Sequence, residues 1–269
     1  MLRNSWLLLL TSLLIMALMG CQPAASGDEE GTTAEQEQPA PEITITKLEG
    51  SPAFPEASLS LDSAEPMDSM FQFSFEVENY ALGAQTDGPG GLANSGKGQH
   101  IHLIVDNGPY SAHYEPMFTT DKLAEPGNHV VLAFLSRSYH ESVKNMEGPS
   151  SFYIGQFQTG DGDYEEADFT APHMFYSRPK GTYTGEDTKK LLLDFFLLNT
   201  TLSEGGNQVR ATINGEEFML TEWAPYVIEG LPMGEVTVKL ELIDAEGNPI
   251  PGPFNVVERT VMLEAGEDM

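Results

Sequence analysis

Five of the six histidines, His100, His102, His113, His129 and His140, fall within 41 residues of one another. Imidazole nitrogens are preferred ligands of zinc and copper, so this clustering is the strongest chemical signal in the chain. His100 and His102 are two apart in GQHIHLIVDNG. On a strand such residues share a face with Cα atoms roughly 6.6 Å apart, which lets both rings reach one ion. His113, just past the next turn, could add a third nitrogen, and His140 in SRSYHESVK another if that hairpin folds over the sheet. The same His-x-His pair is also an ordinary feature of an exposed sheet face, where histidines are hydrogen-bonded and hold no metal. His129 carries that structural reading most clearly, because it alternates with the inward-pointing Val131, Ala133 and Leu135.

Other spacings are weaker. Anion recognition uses arginine clusters and free backbone N–H groups. Arg137, Arg178 and Lys180 could form such a pocket, with Arg210 and Arg259 as further donors, against a formal net charge of −28. That charge repels nucleic acid and anionic headgroups, favours cations, and also serves solubility. The run from Gly91 to Lys97 matches the start of a phosphate-binding loop, but Gly98 stands where Mg²⁺ chemistry needs Ser or Thr, and a strand follows instead of a helix. Asp161, Asp163 and Glu165 give half of a calcium loop without its later Gly and closing Glu. No Gly-x-Ser-x-Gly elbow occurs and the only thiol is Cys21, so acyl transfer has no identifiable nucleophile and the reading leans to a non-enzymatic protein.

The elements that position these residues are strands. From Ile43 onward, short alternating or apolar runs are separated by Gly, Pro, Asn and Asp, with no long stretch of helical period. A weak repeat aligns FQFSFEVENYALG with LLDFFLLNTTLS, HIHLIVDNG with QVRATINGE, and PGNHVVLAFLS with MGEVTVKLELI. Asp-Asn-Gly at 106–108 and Asn-Gly at 214–215 supply matching tight turns. This predicts an all-β chain of two tandem immunoglobulin-like antiparallel sandwiches. The expected divisions are a signal at 1–20, a disordered tether at 21–42, a histidine-rich domain at 43–160, a connector at 161–188 and a His-free domain at 189–269. Trp223 and Phe254 read as core or inter-domain packing.

The N-terminal segment carries Arg3, an apolar run from Leu7 to Met19, and Leu18-Met19-Gly20-Cys21. An apolar run of about 13 residues is too short to span a bilayer. The segment resembles a bacterial lipoprotein signal, which implies lipidation of Cys21, membrane attachment through acyl chains, and an extracytoplasmic place in the cell envelope, with the acids after Cys21 pointing to the outer membrane. The order GQHIHLIVDNG, SAHYEP, LAEPGNHVVLAFLSRSYHES resembles a poorly characterised family of secreted histidine-containing β-domains. The whole chain, with SRPKGTY and GPFNVVERTVML, is similar to lipoproteins automatically named phosphopeptide-binding. Together these readings predict a copper or zinc protein using His100, His102, His113 and His140. The alternative is an envelope adhesion, assembly or peptide-binding module whose histidines are structural.

Overall fold

A computed structural model describes residues 42–266 apart from 146, 163 and 164. Cys21, the expected signal and nearly all of the expected tether lie outside the described residues. The chain runs through β1 (Thr44–Lys47), β2 (Ser58–Met67), β3 (Met70–Glu78), β4 (His100–Val105), β5 (Ser111–His113), β6 (Met117–Thr120), β7 (Gly127–Ser136) and β8 (Phe152–Thr159). It continues through β9 (His173–Arg178), β10 (Thr182–Thr184), β11 (Leu191–Leu198), β12 (Gln208–Ile213), β13 (Glu216–Leu220), β14 (Tyr226–Glu229), β15 (Gly234–Ile243) and β16 (Val256–Glu264). The described residues contain no α-helix.

The strands build two immunoglobulin-like sandwiches. In the first, sheet β2-β3-β6 faces sheet β5-β4-β7-β8; in the second, β1-β14-β11-β9 faces β10-β16-β15-β12-β13. The repeat is visible in register. His100 pairs with Ser136 and Val105 with Val131, as Gln208 pairs with Ile243 and Ile213 with Val238. Asp106 and Asn107 turn at φ 51° and 54°, and Asn214 and Gly215 at 47° and 91°, a left-handed region that suits Asn and Gly.

Two expected divisions differ from the pairing. β1, expected in the first sandwich, pairs antiparallel with β14 of the second. The segment expected as a connector supplies β9 and β10, which pair with β11 and β16. His173, on β9, therefore places one histidine in the second sandwich, which was expected to have none. Composition marks these segments as strands, but the partner sheet depends on long-range pairing that no local pattern encodes. The result is that the first sandwich is inserted between β1 and β9.

Alternation explains the packing. Ile101, Leu103 and Val105 point into the first sandwich with Phe73, Phe75, Val131, Ala133 and Leu135. Met174, Tyr176, Leu193 and Phe195 point into the second with Val209, Ala211, Val238 and Leu240. The opposite faces of β4, β7, β9 and β11 meet each other, and Ile104, Leu132, Phe134, Phe175, Phe196 and Phe254 form a third core between the sandwiches. Phe134 stacks on Phe196 with ring centroids 5.1 Å apart. Each such side chain contributes roughly 1.5–3 kcal/mol of burial. Trp223 packs against this core edge-on to Phe196, as expected of an inter-domain residue.

Candidate metal centre

His100 and His102 share the face of β4 that also carries Ile104, so the inter-sandwich contact buries both completely. They do not lie on an exposed polar face. His140 reaches them from the turn after β7. That turn is closed by hydrogen bonds from Arg137 N to Glu141 O and from His140 N to Arg137 O, each 2.8 Å. The guanidinium of Arg137 braces it from within, donating to Glu141, to the Ser142 carbonyl and to the Pro52 carbonyl. His140 itself has φ 71°, a conformation uncommon outside Gly and Asn, and this backbone directs its ring to the sheet.

The three rings converge. His100 Nε2 lies 2.9 Å from His102 Nε2 and 3.1 Å from His140 Nδ1, and one ligand atom from each ring falls within 4.8 Å of the others. The Gly98 carbonyl, 2.8 Å from His100 Nδ1, accepts a hydrogen bond from Nδ1–H and leaves Nε2 as a bare lone pair. Gly98 is required there, since φ is +84° and a Cβ would meet the Gly83 carbonyl oxygen at 2.3 Å. His102 is clamped by Tyr110, stacked at 3.5 Å, and by Phe134 edge-on at 5.2 Å. The Tyr110 hydroxyl lies 3.2 Å from His140 Nδ1. Above His100 sits Tyr114, whose hydroxyl is 2.7 Å from Ser95 Oγ. The loop carrying Ser95 bonds in turn to the Ser138 carbonyl beside His140, so it covers the cluster.

Burial holds all three imidazoles neutral. It pushes His100 down to about 4 and His102 well below the usual histidine range, and with Arg178 it pushes His140 to about 2. Neutral rings are the form that binds metal. The charge beside them is positive: Arg178 and Lys180 lie over the Tyr110 ring at 5.4 and 4.0 Å.

His113 is not part of the cluster. β5 pairs with β4 so that His113 stands opposite Ile101, on the inner face, while Ala112 stands opposite His102. A shift of one residue in this register would have reversed the faces. His113 stacks on Phe118 at 3.5 Å, bonds to Ser111 Oγ and is held near 4 by burial. His129 takes the structural role expected of it, bonded to Asp106 at 2.6 Å and to the Glu125 carbonyl. Of the anion-binding trio, Arg178 and Lys180 are neighbours, whereas Arg137 is spent on its own turn. Tyr110, Tyr114 and Ser177, the last 3.4 Å from His102 Nδ1, carried no signal in sequence because they join the site only when loops and the second sandwich close on it.

No protein-family model matches the sequence, and no curated protein does. Among solved structures, fibronectin(III)-like modules of CbhA from Clostridium thermocellum are 11% identical, covering 77% of this chain and 94% of that one at a TM-score of 0.27. The central fibronectin-III array of RIM-binding protein is 9% identical, covering 80% and 71% at 0.26. SGBP-B of a Bacteroides ovatus mixed-linkage glucan utilization locus is 9% identical, covering 83% and 70% at 0.20.

Proposed function

We propose that this chain is a lipid-anchored extracytoplasmic protein that binds one copper or zinc ion through His100, His102 and His140. One observation carries the reading: the single lone pair of His100 Nε2 has two ring nitrogens within 3.1 Å, and only one N–H can point straight at it. A proton therefore satisfies one contact and leaves the other poor. An ion drawn between three neutral nitrogens satisfies all of them, and three imidazoles are a donor set for zinc or copper. The Gly98 carbonyl supplies the outer contact that fixes the tautomer of a ligating histidine. Attachment through Cys21 rests on the sequence pattern around it.

The test is calorimetric titration of the full chain, carrying no histidine tag, with Zn²⁺ and Cu²⁺, and with Cu⁺ under reducing conditions. One ion per chain at micromolar affinity or tighter is expected. Absence of binding for all three ions would return the histidines to a structural role and leave partner capture as the function.

A further inference from the structure

The chain has only 13 Lys and Arg against 41 Asp and Glu, yet four of its cations gather where the turn after β4 meets the second sandwich. Lys122 Nζ donates to the Pro109 carbonyl at 2.8 Å, and Lys180 Nζ to the Tyr110 carbonyl at 2.7 Å. Arg259 donates to the carbonyls of Asn107 and Gly108 at 3.0 and 2.9 Å and lies 4.2 Å from the Tyr176 ring centroid. Arg178, buried behind Tyr110, donates Nη1 to the Tyr183 hydroxyl, while its sealed Nε has no partner. Among the described residues, none of the four forms a salt bridge with a carboxylate. Asp121 offsets part of the charge of Lys122, but carbonyls and a hydroxyl only accept hydrogen bonds from the others and do not cancel their charge, which is costly where it is buried, as at Arg178. Burial above all, and then the repulsion of Arg178, Lys122 and Arg259, pushes Lys180 down to about 8.

Beside them opens a cleft of about 330 Å³ lined by Pro109, Lys180, Gly181, Arg259 and Thr260. We infer that this cleft is an oxyanion site, in which Lys180 and Arg259 contact a phosphate- or carboxylate-type group and Lys122 and Arg178 supply supporting charge. The overall acidity of the chain does not prevent this, because at physiological salt a charge is screened beyond about 8 Å, whereas the four cations act at contact range. Paired Arg and Lys donors suit such a group. The site shares no ligand residue with the three histidines, and Arg178 and Lys180 act on His102 and His140 only through their charge across Tyr110.

The experiment is titration of the full, metal-free chain with inorganic phosphate, sulfate and acetate, followed by calorimetry and by the rise in Tm that ligand binding produces. Binding with a dissociation constant of about 1 mM or below is expected for at least one of them. Lys180→Gln should weaken it at least about tenfold by removing a charge-assisted contact. Lys189→Gln, at an exposed lysine paired with Glu186, should leave it unchanged. Phenyl phosphate distinguishes a free ion from a group carried on a larger molecule: tighter binding than inorganic phosphate assigns the latter, equal binding the former, and both support the site. Neither heat nor a Tm rise with any anion, or equal binding by wild type and Lys180→Gln with Tm preserved, would overturn it.

Discussion

His100 decides the chemistry of the cluster because its protonation is fixed from one side. With Nδ1–H committed to Gly98, its Nε2 can only accept, and the neighbouring rings compete for it. The same burial gives the protein an acid-labile interior. Above about pH 6.5 the imidazole is neutral in both folded and unfolded chains, so its full stability is present. As pH falls towards 4, the unfolded chain takes up a proton that folded His100 refuses, and stability is lost. Below that value His100 alone should cost about 3 kcal/mol, at 1.36 kcal/mol per pKa unit. His129 slopes the other way. Burial lowers its affinity for a proton, but Asp106 and the Glu125 carbonyl outweigh it, so its pair stabilises below 6.5 and weakens as pH rises through its elevated value. Urea midpoints of the metal-free chain should therefore fall between pH 6.5 and 4, and His100→Gln should flatten that fall. An unchanged slope in the variant would show that the imidazole takes up protons while folded.

At the scale of elements, period-two alternation gave β4 its two faces, and the Asx-Gly turns gave the repeat its register. What alternation could not give was the fate of the outer face. The pattern separates His100, His102 and Ile104 from Ile101 and Leu103, but only the second sandwich turns that outer face from wet to buried. His113 was misplaced for a similar reason, since the register of a three-residue strand is set by its turn and not by its composition. The turn does more than reverse the chain. Asn107 Nδ2 donates to the carbonyls of Met174 and Phe254, and its Oδ1 accepts from Tyr176 N, so a hairpin tip of one sandwich is hydrogen-bonded into the other. Asn107→Ala removes three buried bonds and puts Ala at φ 54°, which should cost about 3–5 kcal/mol in denaturant unfolding. Asn107→Gly, which relieves the backbone but not the bonds, should cost less. Equal losses would mean that the left-handed backbone contributes nothing.

For the whole molecule, the inserted first sandwich and the borrowed β1 make two repeats behave as one body. Besides the aromatic core, Lys144 is paired with fully buried Asp194 across the contact, and Ser142 donates to the same carboxylate. Nothing in the sequence announces Asp194 in the apolar run LLLDFFLL as the anchor of a lysine 50 residues away. Asp194→Ala would leave a buried ammonium alone and should destabilise by about 3–5 kcal/mol. Unfolding of the wild type should remain a single transition, because losing either sandwich exposes the core they share; two resolved transitions would show that the repeats are independent. This contact also assembles the histidine cluster, for His100 and His102 face the second sandwich while His140 arrives from a turn that the Lys144–Asp194 pair helps to hold. The most direct test is metal content at saturation in three full-length chains: wild type, His140→Gln and His113→Gln. One ion bound by wild type and by His113→Gln, with affinity lowered at least about 100-fold in His140→Gln, is the predicted result. Loss of binding in His113→Gln with retention in His140→Gln would contradict the account.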